Sequence, residues 1–126
     1  MIANRMRGFV LSAALATVCF AAPATASPYD GSWKMQLVTT NGHCGVINMG
    51  MAVNGGHITA TGGRFVSHRI YLAGRIWGGG TTKINGVAGP REAQGVGRFT
   101  PSKGSGKWNG TGPSGVCSGY WVADRG

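Results

Sequence analysis

Acidic side chains are almost missing from this chain: among 126 residues there are three, Asp30, Glu92 and Asp124. Chemistry that needs two carboxyl groups held close together, as in glycosidases and aspartic proteases, has little to draw on. Asp30 and Asp124 fall at the ends of strand-like segments and are expected to be charge partners of nearby Arg or Lys. Cysteine is scarce as well, with Cys19, Cys44 and Cys117 only, and no Cys-x-x-Cys spacing points to a zinc ribbon, a redox motif or covalent haem. His43, His57 and His68 have neither metal-ligand spacing nor a nucleophile signature beside them. Met49 and Met51 alternate along one segment, which reads as core rather than haem ligation. No catalytic residue, cofactor or metal is therefore predicted, and the chain is expected not to be an enzyme.

Long hydrophobic runs are absent except at the start. Arg5 and Arg7 precede an apolar stretch from Phe9 to Ala22, and Pro23 and the small residues Ala24-Thr25-Ala26 follow. This is the pattern of a cleavable signal peptide over residues 1–26. The run is about 14 residues against the ~20 that a stable spanning helix needs, so no transmembrane anchor is expected. Cys19 does not fit a lipoprotein signal, which calls for a small residue just before it and usually Leu three before; Val18 and Ala16 stand there. Cys19 is expected to leave with the signal. The product would be periplasmic or secreted.

What remains, residues 27–126, has the length of a single domain with a modest core. In an oxidising compartment an isolated pair of cysteines reads as a structural disulfide, Cys44 to Cys117. The long loop it closes makes it worth about 4 kcal/mol on the chain-entropy model.

Without Arg5 and Arg7 the balance is four Lys and six Arg against the three carboxylates, a net +7 with His neutral. Such an excess attracts anionic partners in a salt-screened way: envelope polysaccharide, lipopolysaccharide or lipid headgroups. Nucleic acid would be attracted too, but export argues against it. Lys34, Arg69, Arg75, Lys103 and Lys107 are the candidate polyanion-binding residues. The alternative is that this charge only keeps a Gly-rich fold soluble and discourages edge pairing.

Glycine is abundant, 24 residues, and it clusters between short segments that alternate in polarity without helical periodicity, so the domain reads as all-β. Trp33, Met35 and Leu37 share one face of the first strand, which Asn41-Gly42 closes. Ile47, Met49, Met51 and Val53 share a face of the second, and Asn54-Gly55-Gly56 turns to a short third around Ile58 and Ala60. After a looser stretch with Gly62 and Gly63, a fourth runs from about Arg69 to Trp77, with Ile70, Leu72 and Ile76 inward. Between Thr81 and Phe99 a hairpin at Asn85-Gly86 or a turn at Gly89-Pro90-Arg91-Glu92 is available. The second gives strands of ordinary length, about Thr81 to Ala88 and Ala93 to Phe99, and is the expectation. A seventh strand surrounds Trp108, and an eighth covers Val116 to Asp124. An eight-stranded antiparallel meander of this size, lipocalin- or avidin-like in architecture, removes its exposed edges by closing into a barrel. Closure sets the first strand beside the last, and the Cys44–Cys117 bridge would then pin the seam.

Gly-x-Trp occurs at Gly31 and Trp33, Gly106 and Trp108, and Gly119 and Trp121. Residues two apart share a strand face, so each Gly can leave room for a ring from a neighbouring strand. Trp33, Trp108 and Trp121 are either core or an aromatic ligand platform.

Tyr29-Asp30-Gly31-Ser32-Trp33 at the start and Cys117-Ser118-Gly119-Tyr120-Trp121-Val122-Ala123-Asp124-Arg125 at the end resemble a group of small exported proteins of rhizobia-like alphaproteobacteria, which open with Tyr-Asp-Gly-x-Trp and close with Cys-Ser-Gly-x-Trp-x-Ala-x-Arg. The resemblance implies an exported compartment and a shared framework, and no particular activity. A looser likeness is to periplasmic metalloprotease inhibitors, small lipocalin-like barrels with one disulfide and an early Gly-x-Trp. Their cysteines lie closer in sequence, and their inhibitory segment precedes the barrel, where this chain has few residues between Ser27 and Gly31. The expectation is an exported, non-enzymatic binding module for an anionic glycan or lipid or for a small ligand, with a protease inhibitor as the alternative.

Overall fold

The computed structural model describes residues 27–126; the signal peptide read at residues 1–26 lies outside the described residues. Among the described residues ten strands form, numbered here in chain order: β1 Gly31–Asn41, β2 Val46–Asn54, β3 His57–Gly62, β4 Arg64–Phe65, β5 His68–Arg69, β6 Tyr71–Ile76, β7 Thr81–Ala88, β8 Arg91–Phe99, β9 Lys103–Gly112 and β10 Gly115–Arg125. Eight of them close an antiparallel barrel in the order β9-β10-β1-β2-β3-β6-β7-β8, and β4 and β5 make a separate two-stranded hairpin. There is no helix among the described residues, and so none long and apolar enough to cross a membrane.

Turn chemistry sets the meander. Asn54 pairs with His57 across Gly55-Gly56, whose φ values of 60° and 81° are those of a primed hairpin turn that matches strand twist. The β7–β8 turn is Gly89-Pro90, because Ala88 pairs with Arg91. Asn85-Gly86 stays inside β7, and Arg91 and Glu92 belong to the strand that follows rather than to the turn. Closure comes from β10 against β1, with Arg125 opposite Trp33 and Tyr120 opposite Val38. The Cys44–Cys117 disulfide, Cα atoms 6.1 Å apart, crosses this seam at the end of the barrel where β1 leaves and β10 enters.

The two ends of the barrel differ. At one end Phe99 meets Trp33 edge-on at 5.1 Å, Trp121 at 5.4 Å and Tyr29 at 6.4 Å between ring centroids. With Met51, Ile58 and Ile76, all buried, these rings plug that end. Edge-on aromatic pairs add to the burial that large rings already supply. At the other end small inward residues, Gly86, Ala88, Ala93, Gly95 and Gly110, replace the rings, and the interior stays open.

The stretch expected to be loose is a flap. The strand expected from Arg69 begins at Tyr71, and His68–Arg69 pairs instead with Arg64–Phe65. An Ile70 amide bonded to the Gly63 carbonyl at 3.1 Å closes the base of the flap. Barrel pairing between β3 and β6 is short, His57 to Arg75, Ile58 to Gly74 and Thr59 to Ala73. Beyond Thr59 and Ala73 the flap occupies the gap.

Candidate functional site

The open end is an apolar cup with a cavity of about 90 Å³. Leu37, Ile47, Leu72 and Ile84 line its walls, Trp108 and Trp121 rise from its floor, and the disulfide forms part of one side. Alternation along each strand brings them there: Leu37 shares a face with Trp33 and Met35, Leu72 with Ile76, and Ile84 with Thr82 and Ala88. Glycines face inward beside the ring that floors the cup. A Cβ at Gly97 or Gly106 would lie 2.7 Å from the Trp121 ring, so these two glycines let the indole lie flat across the interior.

The three Gly-x-Trp tryptophans are thus buried. Each ring N–H is spent on the backbone: Trp33 Nε1 donates to Tyr29 O at 2.8 Å, Trp108 Nε1 to Val38 O at 3.2 Å and Trp121 Nε1 to Val96 O at 3.1 Å. Trp33 belongs to the plug, while Trp108 and Trp121 offer apolar surface to the cup. Only Gly106 of the three Gly-x-Trp glycines makes room for a ring. A Cβ at Gly31 would meet Arg125 at 2.8 Å, and one at Gly119 would strike the Val38 carbonyl.

One charged side chain enters the mouth. Arg91 opens β8 on the same face as Ala93 and Gly95, and Gly112 makes space for it, since a Cβ there would lie 2.6 Å from Arg91 Cγ. The guanidinium of half-buried Arg91 lies 5.0 Å from the centroid of the Phe65 ring, donates through Nη2 to Ser114 Oγ at the exposed rim and comes within 4.0 Å of Cys44 Sγ. No carboxylate among the described residues pairs with it. The one ion pair there is Lys103 Nζ to Asp124 Oδ1 at 2.8 Å, at the plugged end. Glu92 is exposed and on the outer face by alternation, but it too borders the mouth of the cup.

Phe65 brings the flap over this mouth, and His68 rests against the β7–β8 turn: a Cβ at Gly89 would come within 2.5 Å of the imidazole. The tip of the flap is Val66-Ser67, with φ 49° and 66°. A β-branched residue there is held in a conformation it rarely adopts, and Val66 is 64% exposed. Sequence reasoning missed both Arg91 and Phe65. Arg91 read as a turn residue, although its parity with Ala93, Gly95 and Phe99 already put it inside. Phe65 carried the one signal in its stretch, an aromatic side chain between glycine and polar residues.

No protein-family model matches this chain, and no curated protein does.

The five cations singled out for polyanion binding do not converge. Arg75 on β6 and Lys107 on β9 fall on one register row, Arg75-Lys83-Val96-Lys107, which also brings in Lys83. Lys34 stands on β1, away from that row by the strand order, and both Lys34 and Lys103 are register partners of Asp124. Arg69 is on the flap. The pairing of Asp124 with a lysine was expected and is seen, and it raises the Lys103 pKa through that hydrogen bond and charge. Asp30 is different. Its carboxylate takes no Arg or Lys and accepts instead from the amides of Gly55 at 2.9 Å, Gly56 at 3.2 Å and Ser27 at 3.2 Å and from the Ser27 hydroxyl at 2.8 Å. These bonds, Gly55 foremost, lower its pKa to about 2. Among the described residues no group of three or more His, Cys, Asp or Glu comes together around a possible metal position.

Proposed function

We propose that this domain is a non-enzymatic binding module of the cell envelope or exterior that holds a small apolar ligand in the open end of its barrel. The observation that carries the reading is the asymmetry of the interior: aromatic rings fill one end, and an apolar cavity with two tryptophans on its floor occupies the other. Binding sites for small molecules are concave and mostly apolar with few polar groups, and the mouth of a small β-barrel is one of their usual places. At about 90 Å³ the cavity falls well below the ~300 Å³ at which drug-sized sites begin, so the occupant is small. Titration with 1-octanol, read by native mass spectrometry and tryptophan fluorescence, tests this. One octanol per chain is expected, with a change in emission, and the in-facing substitution Ala93→Phe is expected to abolish both. Binding that survives Ala93→Phe unchanged would move the site elsewhere.

A polyanion-binding outer face is the second reading, favoured by the Arg75-Lys83-Lys107 row and the net +7 charge. Charge-reversed variants at these three positions are expected to elute from heparin at lower salt than the parent protein, and equal elution would remove that reading. The protease-inhibitor alternative has less support, because the segment before β1 is packed down: Tyr29 is buried and Asp30 is bonded to the β2–β3 turn.

A further inference from the structure

Resting on the cup as a binding site, we infer that its ligand is a single-chain amphiphile with an anionic head, an alkyl carboxylate, whose chain lies between Leu72, Ile84 and Trp108 and whose head is held at the mouth by Arg91. Two independent features meet here. The first is a small cavity, about 90 Å³, whose walls are almost wholly apolar and suit one slender alkyl chain better than a bulky ring system. The second is a charge at its rim. Arg91 is half-buried on an inward-facing position, next to an aromatic ring and a disulfide, and no carboxylate among the described residues is within ion-pairing distance.

A guanidinium has five N–H donors. Ser114 Oγ takes one, and Cys44 Sγ at 4.0 Å is a weak acceptor for another. Partial burial of a cation without a counter-charge is unfavourable, and a partner oxygen anion relieves it. The fork geometry of Arg suits a carboxylate, which can accept two parallel N–H bonds. A neutral or cationic head would leave those donors without a charged partner, so the mouth discriminates by charge while the cup discriminates by shape. Phe65, stacked on the same guanidinium, covers the chain once the head is seated. The small volume of the cup favours one chain over two.

The experiment compares octanoate, 1-octanol and octylamine by isothermal titration and native mass spectrometry, with the full protein and with Arg91→Gln and Arg91→Lys. Octanoate is expected to bind at least tenfold more tightly than octanol, and octylamine more weakly than either. Arg91→Gln should bring octanoate down to the octanol level, while Arg91→Lys keeps part of the preference. Dioctanoyl phosphatidylglycerol should not compete with octanoate. Octanol binding as tightly as octanoate to the parent protein overturns this inference and leaves the cup intact as a binding site. Failure of both to bind overturns the cup reading itself. Equal competition by the two-chain lipid refutes the single-chain assignment. Should Arg91→Gln fail to fold, the order among the three probes in the parent protein still decides.

Discussion

The guanidinium of Arg125 lies 4.7 Å from the centroid of the Trp33 ring, at the position where the last strand pairs with the first. From there its three nitrogens donate to three carbonyls: Nε to Pro101 at 2.7 Å, Nη1 to Asp30 at 2.6 Å and Nη2 to Pro28 at 2.8 Å. One side chain thus joins the entry segment, the β8–β9 turn and the closing strand over the aromatic plug. The Cys44–Cys117 bridge does the corresponding work at the far end of the same seam.

Arg125→Ala is accordingly expected to cost about 2 kcal/mol, since bonds from a charged donor are worth ~1.5–3 kcal/mol each and are not additive. For a domain of this size that lowers Tm by roughly 8–15 °C. Arg125→Lys should recover little, because an ammonium cannot reach three carbonyls while stacking on the indole. Thermal unfolding followed by circular dichroism measures both, and a lysine variant as stable as the parent would remove the fork from the explanation.

The disulfide spans 73 residues, so reduction or the double substitution Cys44→Ala/Cys117→Ala should lower stability by about 4 kcal/mol. Urea denaturation with and without reductant gives this directly. An unchanged midpoint would mean that strand pairing alone closes the seam.

Asp30 makes stability depend on pH in a stated window. Its folded pKa is about 2, below the ordinary 3.8, so the folded state favours the carboxylate. The stabilisation is fully present above about pH 4 and is lost as pH falls toward about 2, when the amides of Gly55, Gly56 and Ser27 lose their anionic acceptor. Asp30→Asn should flatten the midpoint between pH 4 and pH 2 relative to the parent. Parallel pH curves for the two proteins would contradict the role given to the carboxylate.

The flap carries backbone strain at Val66 and Ser67. The double substitution Val66→Asn/Ser67→Gly supplies residue types that accept positive φ and removes a penalty of order 1–3 kcal/mol per strained residue. Amide exchange at Phe65, His68 and Ile70 is expected to slow in that variant while exchange in β9 and β10 does not change. Equal exchange in the flap would show that its tip does not limit its opening.

Much of this fold could be read from the chain. Alternation at Trp33-Met35-Leu37 and Ile47-Met49-Met51-Val53 identified inward faces, and Asn54-Gly55-Gly56 and Gly89-Pro90-Arg91-Glu92 marked turns, the second two residues too long. Closure followed from the edges that an open meander would expose, and the two cysteines agreed with it. The flap could not be read, because Val66-Ser67 has none of the residues that ordinarily favour positive φ. Asp30 was misread for a related reason: a carboxylate beside a glycine turn accepts backbone amides, which local charge counting does not register. The cup was the hardest part to see. Its volume is the joint result of small residues on β7, β8 and β9, each unremarkable in its own strand, and of a register that sets them at one level of the barrel.

A ligand seated in the open end of the barrel is the central claim. Backbone and tryptophan-indole NMR shifts of the isotope-labelled protein, followed during a titration with octanoate, test that most directly. Saturable shifts at Leu72, Ile84, Arg91 and the Trp108 indole, with Tyr29, Phe99 and the Trp33 indole unmoved, are the predicted result. Shifts confined to the outer row of Arg75, Lys83 and Lys107, or no saturable shift at all, would contradict it.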